Sequence, residues 1–305
     1  MLILGHREVR DILKRKEPEV LQVVADAHRL HDAGIAHCSG SVSRGTARTG
    51  AGIVLDSPAD GGPEAFVEAS LILAKSAGAS AGLAAGLLST QPEPRGLALV
   101  GLGPVNLEVL RFVKARFHSL IELTLFDPDE ERTIAFAREA RKIVPGAGVQ
   151  YADTPEEALA AHGLVSLATA ADTPHLGLAA ARPGTTVLHL SPRDLTVDAV
   201  LGARNIVDDA DHACRGRTSL HLAELATGGR EFVTATIGAL LRDPDAVRPD
   251  PQRVTVYSPS GLPAFDLALA RWVTDQAERW RIGVRIDDFL PATLTAPAVP
   301  VTTSV

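Results

Sequence analysis

The sequence predicts an α/β protein organised around a doubly wound parallel sheet. Short apolar runs alternate with amphipathic stretches through the middle of the chain, and strands alternating with helices imply parallel pairing with helices on both faces. The first of these runs leads into a glycine turn that opens a helix, the local context of a dinucleotide fingerprint. Composition supplies the core: 46% of residues are hydrophobic and 22% charged, with aromatics at only 4%, so packing falls mainly to Ala, Leu and Val.

In chain order, residues 7–30 carry Val9, Ile12, Leu13, Val20, Leu21 and Val24 at near-helical spacing and predict one helix. Residues 32–50 are rich in Gly, Ser, Arg and Thr and read as loop. Residues 53–55 predict a strand and 57–63 a turn. Residues 65–88, dominated by Ala, Leu and small side chains, predict a helix for the core or a dimer interface. The prolines within 89–95 mark a domain boundary. Beyond it, strands are predicted at 97–100, 123–126, 149–151, 164–168, 187–190, 205–207 and 254–257. Helices are predicted at 104–117 and 128–143, and Thr154 caps a short helix opening at Pro155. The Pro- and Thr-containing stretch after Phe289 predicts a loose tail.

Several function classes are excluded. Lys plus Arg number 30 against 37 Asp plus Glu, a net charge of −7, which leaves no polybasic surface for general nucleic-acid binding. No apolar run is read as approaching the ~20 residues of a bilayer span. The opening Met-Leu-Ile-Leu-Gly-His-Arg-Glu has no signal-peptide pattern, and two cysteines make no disulfide framework. A soluble, cytoplasmic protein is expected.

The most informative stretch is Val100-Gly101-Leu102-Gly103-Pro104-Val105-Asn106. Gly101 allows a tight turn, and Gly103 lets backbone amides approach a pyrophosphate without a Cβ in the way. Pro104 suits a first helical turn, whose free amides and dipole favour an anion. Asn106 stands where the fingerprint has its third glycine, so helix–strand packing must differ there. Asp127, at the end of the second strand, is positioned to accept hydrogen bonds from the ribose hydroxyls. Asp129, Glu130 and Glu131 follow it and would repel a 2′-phosphate, which points to NAD over NADP.

Beyond the fingerprint, separated blocks agree in order with a known family: Gly-Leu-Gly-Pro-Val-Asn-Leu-Glu-Val-Leu-Arg-Phe (101–112), Leu-His-Leu-Ser-Pro-Arg-Asp-Leu (188–195), Asn-Ile-Val-Asp-Asp-Ala-Asp-His-Ala-Cys-Arg (205–215), Thr-Ser-Leu-His-Leu-Ala-Glu (218–224) and Tyr-Ser-Pro-Ser-Gly-Leu (257–262). The chain resembles the ornithine cyclodeaminase/μ-crystallin family, in one branch of which Asn106 is the usual residue. The resemblance implies a Rossmann-type doubly wound sheet (93–261) inserted into a smaller α+β substrate and dimerisation domain (1–92 plus 262–305), here shortened. It implies NAD as cofactor, a small amino-acid substrate, a homodimer, and hydride removal from an amino-acid Cα.

For catalysis the resemblance directs attention to Asp194 as the base, in a loop at a strand's carboxyl end; the alternative is a helix cap for 195–202. His189, on the same strand end, is a candidate base or cofactor contact, and Ala168, Thr169 and Ser258 resemble positions lining the cofactor. The family's carboxylate clamps are not found. A gapless reading puts Ser76 where an arginine is expected, beside Lys75, while Arg44 or Arg48 is the candidate for another clamp. The missing clamps keep two further readings open: a nucleotide-binding protein without turnover, and a cyclodeaminase-type lyase releasing ammonia. His28, His31, His37 and Cys38 lack acidic partners, so no metal is expected. Cys214, beside His212, is expected to be buried and inert.

Overall fold

A computed structural model describes residues 1–35, 38–44 and 50–289. The chain opens with β1 (Leu2–Leu4), α1 (His6–Leu13), α2 (Glu17–Asp32), β2 (Gly40–Ser43), β3 (Gly52–Asp56), β4 (Pro63–Glu68) and α3 (Ser70–Leu88). It continues through β5 (Gly96–Val100), α4 (Pro104–Arg116), β6 (Glu122–Phe126), α5 (Glu130–Ile143), β7 (Gly148–Tyr151), α6 (Pro155–Ala161) and β8 (Leu164–Leu167). Then come β9 (Thr186–His189), α7 (Val197–Gly202), β10 (Arg204–Val207), α8 (Ala210–Ala213), α9 (Ser219–Thr227), β11 (Val233–Thr236) and α10 (Ile237–Arg242). The last elements are β12 (Thr255–Ser258), α11 (Pro263–Trp280) and β13 (Val284–Arg285).

The larger sheet has eight strands in the order β11-β10-β12-β9-β8-β5-β6-β7, every pair parallel. Its central strands β5, β8, β9 and β12 are buried along their whole length, because helices cover both faces. One face packs Leu97, Leu99 and Leu188 against α3, α4 and α5. The other packs Val165, Val187 and Val256 against α6, α7 and α9. A smaller mixed sheet, β13-β1-β4-β3-β2, joins both ends of the described chain and packs on α1, α2 and α11.

Three sequence expectations for the first 88 residues need correction. The single helix over 7–30 is two: Arg15 takes a left-handed φ of +58° and Pro18 sits in the first turn of α2. Proline is tolerated there but would break a continuous helix. The expected helix over 65–88 begins instead as β4, where Ala65 and Val67 alternate inward and the strand pairs with β1 and β3. The expected loop over 32–50 contains β2, antiparallel to β3. Its Gly-Ser-Val-Ser sequence carries too little apolar signal to announce a strand.

Helix α3 also corrects the expectation about apolar runs, since its 19 residues are long and apolar enough to cross a membrane by length and composition alone. It is a core helix: a Cβ on Gly78 would stand 2.8 Å from the Glu108 carbonyl carbon, and one on Gly82 3.0 Å from Phe112 Cβ. The small residues therefore bring α3 against the backbone of α4 within this chain.

Candidate active site

The strand order places a switch point between β5 and β8, from which the sheet grows in opposite directions. In such sheets the crevice outside the carboxyl ends of those strands is the ligand site. Gly101 leaves β5 with φ +80°, and a Cβ there would lie 2.4 Å from the Ala168 carbonyl oxygen and 2.9 Å from Thr169 Cα. Both obstacles are backbone, so this position accepts only glycine. Gly103 differs. It is the N-cap of α4, no side chain caps the helix, and a Cβ there would meet nothing within 4 Å. The protein's own packing does not demand glycine at 103; its bareness leaves open space in front of uncapped amides, which suits an anion.

Asn106 corrects the expectation that it contacts a cofactor. Its side chain is fully buried: Nδ2 donates to the carbonyls of Val100 (2.9 Å) and Gly101 (2.7 Å), and Oδ1 accepts from Ser166 Oγ at 2.6 Å. It ties the glycine turn to β5 and β8 where a third glycine would have let the elements touch directly.

Asp127 reaches the turn from β6. Its Oδ2 accepts the Leu102 N–H at 2.8 Å and its Oδ1 the Asp129 N–H at 3.0 Å, while the Arg132 guanidinium lies 3.3 and 3.4 Å away. Asp129 caps α5 by accepting the Arg132 N–H at 3.0 Å. A cavity of about 580 Å³ lies here, bounded by Gly101, Gly103, Asp127, Arg132, Ala168 and Thr169.

A second cavity of about 450 Å³ lies on the far side of the α4 N-terminus, with Pro104 and Val105 in its wall. Its polar lining includes Arg44, Ser80, His189, Asp208, Ser258 and Asp266. Arg44 donates to Asp266 at 2.6 Å and to the Gly261 carbonyl at 2.9 Å. Burial pushes the Asp266 carboxyl up to about 6, against the pull of Arg44 and the Ser76 hydroxyl. Asp208, 2% exposed at the end of β10, accepts the Ser260 N–H on both oxygens at 2.8 Å, and burial raises its pKa. Among the described residues lining this cavity, Arg44 is the one Arg or Lys.

His189 ends β9 with 1% of its surface exposed. Its Nδ1 lies 2.9 Å from Ser258 Oγ, and its Nε2 has no partner. Burial holds its pKa down to about 4, partly offset by the negative charge of Asp194. Asp194 itself lines neither cavity. It is fully buried, with Oδ1 accepting the Thr169 hydroxyl and Oδ2 unpartnered. It is not the cap of the helix that follows, because Thr196 caps α7 by accepting the Ala199 N–H. The Thr169 N–H, in turn, donates to Ser191 Oγ at 2.6 Å.

Lys75 also stands apart from the cleft. It is 5% exposed, 2.9 Å from Glu108 and 3.7 Å from Glu17, so its charge is consumed between α3, α4 and α2. Its neighbour Ser76 faces the second cavity. The one-residue offset turns the side chain by ~100°, enough to separate the two fates. Arg48 and His37 lie outside the described residues. His28 is buried against the Phe265 ring at 3.9 Å with Nε2 3.0 Å from Ser80 Oγ, and burial lowers its pKa to about 3. His31 is 2.8 Å from Asp209. Cys214 is buried, which raises its thiol pKa.

Sequence reasoning missed Asp208 and Asp266. An acid at the carboxyl end of a parallel strand is a signal that could have found Asp208. Asp266 sits inside a helix with no motif around it, and only the fold brings it to Arg44.

An open parallel sheet with a glycine turn at its switch point defines a Rossmann-type α/β protein. Residues 36–280 match the model of the ornithine cyclodeaminase/mu-crystallin family, and the chain belongs to that family. It is 22% identical over 238 residues, 77% of this chain and 70% of the relative, to N-((2S)-2-amino-2-carboxyethyl)-L-glutamate dehydrogenase of Staphylococcus aureus. It is 26% identical over 274 residues, 86% of this chain and 82% of the relative, to alanine dehydrogenase of Archaeoglobus fulgidus. Among solved structures it is similar to Thermococcus litoralis Δ1-pyrroline-2-carboxylate reductase in complex with NADH and L-proline, with TM-score 0.84 at 18% identity, covering 94% of this chain and 100% of the other.

Proposed function

We propose that this protein is an NAD-dependent oxidoreductase that oxidises the Cα–N bond of an amino acid or N-substituted amino acid. The first substrate to test is N-(2-amino-2-carboxyethyl)-L-glutamate, which would yield 2,3-diaminopropionate and 2-oxoglutarate. The observation carrying this reading is the position of the α4 N-terminus between two cavities, one bordered by Asp127 and the other by Arg44, His189 and Asp208. A dinucleotide has the matching form: a diphosphate at the centre, a ribose on one side and a reactive ring on the other. The fit is supported by the space that a Cβ on Gly103 would fill and by the uncapped amides behind it.

NAD, when bound, accepts the hydride from the substrate Cα. The chain's own residues do the rest. Asp127 accepts from the ribose hydroxyls, Ala168 and Thr169 wall the same side, and Arg44 holds a substrate carboxylate at the mouth of the second cavity. Residues 93–261 form the nucleotide domain, while 1–92 with 262–289 form the substrate domain through which two copies pair; the remainder of the proposed 262–305 segment, the tail after Phe289, lies outside the described residues.

The test is titration with NADH followed by turnover of that substrate. Stoichiometric NADH binding and NADH accumulation support the reading; absence of NADH binding by folded protein overturns it. One observation favours a second reading. Two buried carboxylates, Asp208 and Asp266, share the second cavity with Arg44, its one Arg or Lys among the described residues, a balance that suits a substrate carrying an additional amine. Ammonia release from a diamino acid without net NADH would identify a cyclodeaminase-type lyase.

A further inference from the structure

We propose that His189 is the catalytic base that activates water in the second cavity, a role for which sequence had pointed to Asp194. The inference rests on the proposed oxidation of a Cα–N bond, which leaves an iminium that water must hydrolyse.

Of the other buried acids, Asp208 and Asp266 are held by protein donors, and Asp194 stands outside both cavities. Asp208 accepts the Ser260 N–H on both oxygens, with the Asp209 N–H also on Oδ1, and Asp266 accepts from Arg44. Asp194 lines neither cavity and holds the Thr169 hydroxyl. His189 is in the wall and 1% exposed, with an imidazole nitrogen that no protein group satisfies. A buried polar atom is ordinarily hydrogen-bonded, so a buried, unsatisfied Nε2 on a residue of the cavity wall leaves a bond for a water or substrate atom to complete. The 2.9 Å contact between Nδ1 and Ser258 Oγ fixes the ring. With Nδ1–H donating to that hydroxyl, Nε2 is a bare acceptor.

Asp194, on the following loop, is the charged group that acts on the ring, and the cavity that the ring borders also holds Asp208 beyond β10, Asp266 of α11 with its Arg44, and His212. The coulombic pull of Asp194 favours an imidazolium. It is thus a positioning and charge-balancing residue.

Water oxygen bonds to the iminium carbon, its proton passes to Nε2, and the C=N π pair moves to nitrogen, giving a neutral carbinolamine. The imidazolium returns that proton to the amine nitrogen. Nε2 then takes the hydroxyl proton as the C–N bond breaks, leaving a carbonyl and an amine, which finally carries that proton away as ammonium.

The experiment compares wild type with His189→Asn on N-(2-amino-2-carboxyethyl)-L-glutamate, reading the pre-steady-state NADH burst separately from steady-state 2-oxoglutarate release. The expected result is an NADH burst of one equivalent with steady-state release lowered on the order of 10²–10³-fold, and NADH still bound. Burst and turnover both retained, or both lost while NADH still binds, overturn the proposal. Failure of the wild type to form NADH instead counts against the proposed function. NMR of the ring nitrogens in the wild-type protein supplies a readout that needs neither substrate nor a folded variant. At neutral pH it should find Nδ1 protonated and Nε2 bare, and the opposite tautomer overturns the assignment.

Discussion

The two cavities flanking the α4 N-terminus are built by different means. The one at the glycine turn is shaped by backbone: a left-handed glycine against which the Ala168–Thr169 backbone closes, and a helix start without a side-chain cap. The other is furnished by side chains from six separated segments, with Arg44 near the start of the chain and Asp266 near its end. Backbone sites depend on local sequence and side-chain clusters on topology, so the two should fail differently when altered.

The sharpest break is within the glycine turn itself. Gly101→Ala forces a left-handed backbone, at about 1–2 kcal/mol, and a Cβ against the Ala168 carbonyl at 2.4 Å. It should lower the melting temperature and abolish measurable NADH binding. Gly103→Ala meets no protein atom within 4 Å, so its melting temperature should match wild type while NADH affinity falls at least about tenfold, since the added methyl enters the place of the diphosphate. Fluorescence titration beside thermal melts reads both. Wild-type NADH affinity in Gly103→Ala would remove the diphosphate from this turn.

The second cavity should break at Arg44. Arg44→Gln removes the cation paired with buried Asp266, whose carboxyl burial already pushes up to about 6. Loss of a charge-assisted contact of about 1.5–3 kcal/mol predicts a drop on the order of ten- to hundredfold in kcat/KM. NADH affinity should hold, because Arg44 does not border the other cavity. If NADH binding fell in step with turnover, the division between the cavities would be wrong.

The same division governs what could be read before folding. Gly101, Gly103 and Asp127 were legible because a strand, a turn and the next strand are local patterns with a fixed spacing. Asn106 was noticed, yet its use was misread, because whether an amide faces a ligand or locks a turn is settled by Ser166 on a strand far along the chain. Lys75 illustrates the opposite failure. A register argument brought it close to the cleft, and the helix period directed it to Glu108 instead. β1, β2 and β4 escaped notice because strands of three to six residues carry little periodicity and are defined by their partners.

The finest distinction lies within the Asp127 carboxylate. Asp127→Ala removes the acceptor of the Leu102 N–H as well as the ribose partner, so NADH affinity should fall about tenfold, one to two hydrogen bonds' worth. Arg132 has a smaller and opposite part. Its guanidinium spans both Asp127 oxygens and Asp129 with 55% of its side chain exposed, and exposed pairs of this kind contribute about 0.2–1 kcal/mol. A ribose hydroxyl approaching Asp127 must compete with it, whereas a 2′-phosphate would be attracted to it. Arg132→Ala should therefore tighten NADH by about twofold and weaken NADPH by a similar factor, each within the 0.2–1 kcal/mol of such a pair. Parallel titrations with the two reduced cofactors measure this. An unchanged ratio would place the 2′-position away from Arg132 and leave discrimination to Asp127 alone.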